Sequence, residues 1–345
     1  MRHRVNIICN DPEKAHLCRL PNMEPDERPP SVGNPSNRAI VTIPVFGKET
    51  GKTTGVEHFI LPSAIWTRRS WIMNTDALDF GIEVKLYIED HLKNSETVRA
   101  LLLQNGITDD DILWFDGRPV EGAVPSDTGS FSFKAKKCCL YTDRRFEKYK
   151  WVIQPDADCF VVKTGEKRLP FFKSFFDKVL PFELMSFYTN DKPESPPYQT
   201  TPTLRRVQFQ GLDEWRSDFE ALLGSEMLAK YTDPNQWYMV PHTSLFAFPS
   251  QHFMTTRWND CEFLIDIARI MLNDEQTLSV WHSLGNPVGD LSRTLDDCPM
   301  HLIVEPNVSY SIDEVHKLHD QGEPFILHFG NVTTETIWRK GIGAL

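Results

Sequence analysis

Two aspartates one residue apart, Asp156-Ala157-Asp158, interrupt the apolar run Trp151-Val-Ile-Gln-Pro-Asp-Ala-Asp-Cys-Phe-Val-Val162. The flanking halves, Trp151 to Ile153 and Cys159 to Val162, are β-branched or aromatic enough to read as a strand buried on both faces of a sheet. A carboxylate placed there without a partner is costly or shifts its pKa until it is neutral. A hard divalent cation removes that cost. Mg²⁺ and Mn²⁺ take carboxylate oxygens and keep waters or phosphate oxygens as their remaining ligands. The spacing therefore points to a metal–diphosphate site at the end of a central strand.

Such a motif needs a sheet whose strands end together. Upstream, Ala39–Phe46 reads as a strand, the pattern from Pro62 through Ile65, Trp66, Ser70, Trp71 and Ile72 as a helix, and Glu83–Ile88 as a second strand. A helix is expected over about 96–104, a third strand over Ile112–Phe115 and a further helix over 130–141. This alternation implies an α/β protein with a mostly parallel sheet covered on both sides, where ligands sit at the carboxyl ends of the strands. The second half predicts helices over 171–179, 213–228, 258–271 and from Asp274 to Trp281. Strands are expected over 184–188, 244–248 and 325–329. Residues 1–38, rich in Pro, Asn and acidic side chains after Asn10, read as an irregular leader. Residues 39–165 and 166–345 are expected to form the two halves of one continuous domain. The stretch Gly47 to Gly55 contains Gly, Lys and Thr but lacks the Walker spacing, and reads as a loop.

The chain of 345 residues, 40% hydrophobic and 25% charged, suits a large soluble core. Its net charge of −11 argues against general capture of nucleic acid, which needs clustered Lys and Arg. Seven scattered cysteines fit reduced thiols better than a disulfide framework. With no apolar stretch of signal-peptide or membrane-span length, a cytoplasmic location is expected.

In three separated places the residues resemble the metal-dependent glycosyltransferases of the GT-A fold. The first is Asp156-Ala157-Asp158, preceded by Lys134 and Lys137. The second is Phe325-Ile-Leu-His-Phe-Gly330, similar to the closing strand on which that group carries a metal-binding histidine. The third is Asn273-Asp-Glu-Gln-Thr277, opening a helix where related enzymes place an acidic residue. The resemblance implies a GT-A-like, Rossmann-like sheet flanked by helices, with a smaller acceptor-side subregion. It implies Asp156, Asp158 and His328 as ligands to Mn²⁺ or Mg²⁺, and a nucleoside-diphosphate sugar, most simply a UDP-sugar, as donor.

The same resemblance suggests Lys134, Lys137, Arg339 and Lys340 as diphosphate contacts, although Arg339 and Lys340 lie farther from His328 than the common spacing. His242, Thr243 and Ser244 occupy the place of the sugar pocket, without the glycine that group often has. Pro44, Val45 and Phe46 are candidates to pack on the base, and Glu89 or Asp90 to accept hydrogen bonds from base or ribose. An inverting reaction would need Glu275 or Asp274 as base; a retaining one would not, and the His-terminated strand is closer to the retaining families. Asp274 has an equally good explanation as a helix cap. The acceptor is left open among glycan, protein, small molecule and, less compatible with the acidic charge, modified nucleic acid. Two other classes share these features: a nucleotidyltransferase or nucleotide-sugar hydrolase with the same metal site, and a non-catalytic binding protein on the same fold.

Overall fold

The computed structural model describes residues 38–46, 56–116, 143–178, 184–187, 204–205, 215–233, 238–239, 242–249, 288–290, 301–303, 319–322 and 324–328. Strand β1 (Ala39–Val45) is buried along its whole length, as its sequence, apolar except for Thr42, leads one to expect. A single π turn, Val56–Ile60, leads into helix α1 (Leu61–Asn74), whose Pro62 sits in the first turn where no N–H is needed. Next come β2 (Glu83–Glu89), helix α2 (Glu96–Gln104) capped by Ser95, and β3 (Ile112–Phe115). Strands β4 (Trp151–Pro155) and β5 (Cys159–Val162) flank the two aspartates. Helix α3 (Phe171–Lys178), β6 (Leu184–Phe187) and the two-residue strands β7 (Leu204–Arg205) and β8 (Tyr238–Met239) follow. Between β7 and β8 lie α4 (Trp215–Leu223) and α5 (Ser225–Thr232). Then come β9 (His242–Pro249), β10 (Val288–Asp290), β11 (His301–Ile303) and β12 (Phe325–His328).

Seven strands form the central sheet in the order β10-β6-β9-β4-β1-β2-β3, and β9 alone runs antiparallel to its neighbours. This is the α/β class with a mostly parallel sheet that the strand–helix alternation predicts. The chain moves outward from β1 through β2 to β3, then returns to the other side of β1 as β4. The order therefore reverses between β1 and β4, the position at which open sheets of this type form a ligand crevice. Pairing of β4 with β1 covers Ala39 to Val41. Pro44 lies beyond it, where a missing N–H need break no ladder bond on that side.

One face of the sheet carries Val41, Ile43 and Val45 of β1 and Ile153 of β4, packed with Leu61, Ala64 and Trp71 of α1 in a common core. Aromatic rings extend that core to α3. Trp71 meets Phe171 edge-on at 5.0 Å, and Trp151 meets Phe175 at 5.2 Å. The amides of Phe172 and Lys173, in the first turn of α3, donate to the Asp76 carboxylate at 2.8 and 2.9 Å. Burial raises the pKa of Asp76 against the pull of those amides. From α1, the Arg68 Nε donates to the Val84 carbonyl at 2.8 Å and its guanidinium pairs with Asp111. These bonds tie the helix to β2 and to the turn before β3.

Two expectations are corrected. The run 151–162 is not one strand: β4 belongs to the central sheet and β5 to a second sheet ordered β11-β12-β5. The helix expected over 213–228 is two helices, broken at Gly224, whose φ of 88° is in the left-handed region that glycine tolerates. The segments 130–141, 258–271 and 274–281 lie outside the described residues.

The approach to β4 is held by Asp143. Its carboxylate accepts from the Tyr87 hydroxyl at 3.0 Å and from the Arg145 side chain and backbone. Burial pushes this carboxyl up, but the bonds from Arg145 and Tyr87 outweigh it and hold the pKa below the ordinary value. The resulting stabilisation is present above the unfolded aspartate pKa of about 4 and is lost as pH falls through the lowered value. Asp143→Asn is expected to cost roughly 0.5–1.5 kcal/mol at pH 7, kept small by the solvent around Arg145, and progressively less below about pH 4. Urea unfolding across that pH range measures it.

Candidate metal centre

Asp156 and Asp158 sit on the turn that carries the chain from one sheet to the other. The amide of Cys159 donates to the Asp156 carbonyl at 3.0 Å, closing a β-turn with Ala157 and Asp158 at its centre. Beyond it β5 pairs antiparallel with β12, and the register sets His328 opposite Cys159. His328, the last residue of β12, therefore lies level with the turn although the two are far apart in sequence. One ligand atom from each of Asp156, Asp158 and His328 falls within 4.8 Å of the others. The His328 Nε2 is 3.4 Å from Asp158 Oδ1. Both aspartates are half-buried and His328 is buried. Among the described residues this is the one cluster of three such side chains.

Gln154, fully buried in β4, donates its Nε2 to Asp156 Oδ1 at 3.2 Å. That bond orients one carboxylate oxygen of Asp156. Cys159 reports on the field nearby. Burial first, then the charges of Asp156 and Asp158, push its thiol pKa well up, so it stays a neutral packing group. The donors that remain are two hard carboxylates and a borderline imidazole, with no thiolate. Such a set fits an octahedral divalent ion of the Mg²⁺ or Mn²⁺ kind, whose open positions water or phosphate oxygens can fill, better than a thiolate-seeking one.

Other candidates gather at the same edge. Parallel register sets Pro44 beside Tyr87 and Val45 beside Ile88, so Phe46 follows next to Glu89 at the carboxyl ends of β1 and β2. Pro44, Val45 and Phe46 are buried, and Phe46 packs edge-on against Phe115 with ring centroids 6.1 Å apart. Glu89 is fully buried with the His91 Nδ1 at 3.4 Å, while Asp90 is half-buried at the start of a short 3₁₀ turn, Asp90–Asn94. His242, Thr243 and Ser244 open β9; the next residue, Leu245, pairs with Pro155, the residue before Asp156. Lys134, Lys137, Asp274, Glu275, Arg339 and Lys340 lie outside the described residues.

The structure adds residues that the sequence reading passed over. Gln154 is one, and four side chains of α1 that bond the backbone of 157–161 are the others. Their signal was a row of hydrogen-bonding side chains at helical spacing, Thr67, Ser70, Trp71 and Asn74.

No protein-family model matches the chain, and no curated protein sequence matches it. Solved structures do show similarity. The apo form of mouse xyloside xylosyltransferase 1 is 12% identical with a TM-score of 0.44, over 85% of this chain and 97% of that chain. The galactosyltransferase LgtC, in complex with donor and acceptor sugar analogs, is 11% identical with a TM-score of 0.45, over 89% and 94%. The bifunctional glycosyltransferase WbbM, apo, is 10% identical with a TM-score of 0.43, over 93% and 50%. At these identities and TM-scores the likeness carries no argument about this chain, and the chemistry of the site has to come from its own residues.

A divalent ion binding the folded protein at about 100 times its dissociation constant would stabilise it by about 2.7 kcal/mol. Mg²⁺ or Mn²⁺ is expected to raise the melting temperature accordingly, and Asp158→Asn, which keeps the side-chain shape, is expected to abolish most of the rise. A thermal-shift titration checks both.

Proposed function

We propose that the protein is a metal-dependent glycosyltransferase that moves a sugar from a nucleoside-diphosphate sugar, most simply a UDP-sugar, to a hydroxyl acceptor. One observation carries the reading: two carboxylates and an imidazole converge where the strand order of a parallel sheet reverses, at the carboxyl ends of its strands. In this reading Asp156, Asp158 and His328 hold Mn²⁺ or Mg²⁺, with Gln154 keeping Asp156 oriented. When bound, the ion offsets the negative charge that builds on the diphosphate as the sugar–phosphate bond breaks. Lys134, Lys137, Arg339 and Lys340 supply further positive charge to the leaving group.

Pro44, Val45 and Phe46 with Glu89 and Asp90 receive the nucleoside, and His242, Thr243 and Ser244 border the sugar. The start of β9 supports that last assignment, since its register brings it alongside the end of β4. Residues 39–165 would then serve the donor and 166–345 the acceptor. Retention of anomeric configuration is the favoured outcome, and in an inverting reaction Glu275 or Asp274 would take the acceptor proton. The buried free thiol of Cys159 and the unpatterned cysteines support a reducing, cytoplasmic compartment. No helix among the described residues is long and apolar enough to cross a membrane.

A panel of nucleotide sugars incubated with the protein and Mn²⁺ tests the reading. Mass spectrometry is expected to show slow release of the nucleoside diphosphate from one donor, most simply a UDP-sugar. Asp158→Asn is expected to slow that release by at least about a hundredfold, the scale of one electrostatic stabiliser in an active site. Release of a nucleoside monophosphate and sugar phosphate instead would assign the site to a hydrolase. No turnover together with no metal-dependent UDP binding would remove the proposal.

A further inference from the structure

The candidate centre stands on a turn whose geometry is not self-determining. In a β-turn closed by the Cys159 amide and the Asp156 carbonyl, the central peptide is the one joining Ala157 to Asp158. Flipping that peptide interconverts type I and type II turns at little cost to the closing bond, and aspartate tolerates the left-handed conformation that type II requires at this position. The flip changes the backbone angles of Asp158 and so re-aims its carboxylate relative to His328.

Helix α1 opposes that flip. Thr67, fully buried, donates its Oγ1 to the Ala157 carbonyl at 2.7 Å, gripping the central peptide from 90 residues away in sequence. The next donors and acceptors along the same face hold the strand that follows. Trp71 Nε1 donates to the Cys159 carbonyl at 3.0 Å, the Val161 amide donates to Ser70 Oγ at 3.0 Å, and Asn74 Nδ2 donates to the Val161 carbonyl at 2.8 Å. Residues 67, 70, 71 and 74 fall on one helical face, and they take edge groups of β5 on the side away from β12. Trp66 adds a ring contact to Phe160 at 4.4 Å. The work divides along the helix: Ser70, Trp71 and Asn74 fasten a strand, whereas Thr67 alone among them fastens the turn between the two aspartates.

We propose that Thr67 is a positioning residue for the metal centre, fixing the Ala157–Asp158 peptide in the orientation that turns Asp158 toward His328. This rests on reading Asp156, Asp158 and His328 as metal ligands. The test is Mn²⁺ affinity without nucleotide, followed by the electron paramagnetic resonance signal of free Mn²⁺, alongside the melting temperature of each metal-free variant. Thr67→Val, which keeps the shape and loses the hydroxyl, is expected to weaken Mn²⁺ binding about three- to tenfold, the worth of one hydrogen bond. Thr67→Ser is expected to restore it to within about twofold. Asn74→Ala, which frees the far end of the same strand, is expected to lower the melting temperature while leaving Mn²⁺ affinity near wild type. If Thr67→Val does not fold, Thr67→Cys, a weak donor of similar size, takes its place with the same expectation.

Two results overturn the inference while leaving the metal centre standing. One is wild-type Mn²⁺ affinity in Thr67→Val when Asp158→Asn has lost it. The other is an equal loss of affinity in Asn74→Ala, which would make the effect one of general loosening. If the wild-type protein binds no Mn²⁺, the metal centre and the inference fall together.

Discussion

Two like charges on one tight turn are the constraint around which the rest of the molecule is arranged. Asp156 and Asp158 are half-buried on a turn between strands that are themselves buried throughout. Repulsion between the carboxylates and their loss of hydration both oppose that placement. The surroundings meet the cost locally: Gln154 donates to Asp156, and the His328 imidazole stands beside Asp158. The metal-binding role proposed for Asp156, Asp158 and His328 would account for so unfavourable an arrangement at the crevice of the main sheet.

Several elements were legible because their causes are local. Helix α2 and strand β3 have the bounds that the pattern of Glu96–Gln104 and Ile112–Phe115 predicts, the first because a serine cap marks its start and the second because the run is short and apolar. The aspartates were legible for the opposite reason, as residues that break a local rule. What stayed hidden depended on partners. Burial on both faces makes 151–162 look like a single strand, and nothing in those residues says that β4 and β5 join different sheets. An isolated glycine is tolerated inside many helices, so Gly224 gave no sure sign of a break until its backbone angle was seen.

The helix over 61–74 shows the limit most clearly. Its existence is readable, but its buried Thr67 and Ser70 look like defects in an apolar face. They are explained only by acceptors and donors on the backbone near residues 157–161, which a sequence pattern does not connect to them. His328 was reached through a motif resemblance, and the antiparallel register of β5 with β12 supplies the physical reason it can join the aspartates.

The thiol of Cys159 has a consequence of another kind. It lies fully buried at the seam where the two sheets meet, next to the charged turn and beneath α1. A reagent that reacts with thiolates reaches it only when that seam parts, since burial excludes solvent and the neighbouring carboxylates disfavour the reactive anion. The labelling rate of this one sulfur is therefore an internal clock for the opening of the joint between the sheets, a motion to which the melting of the whole fold is blind.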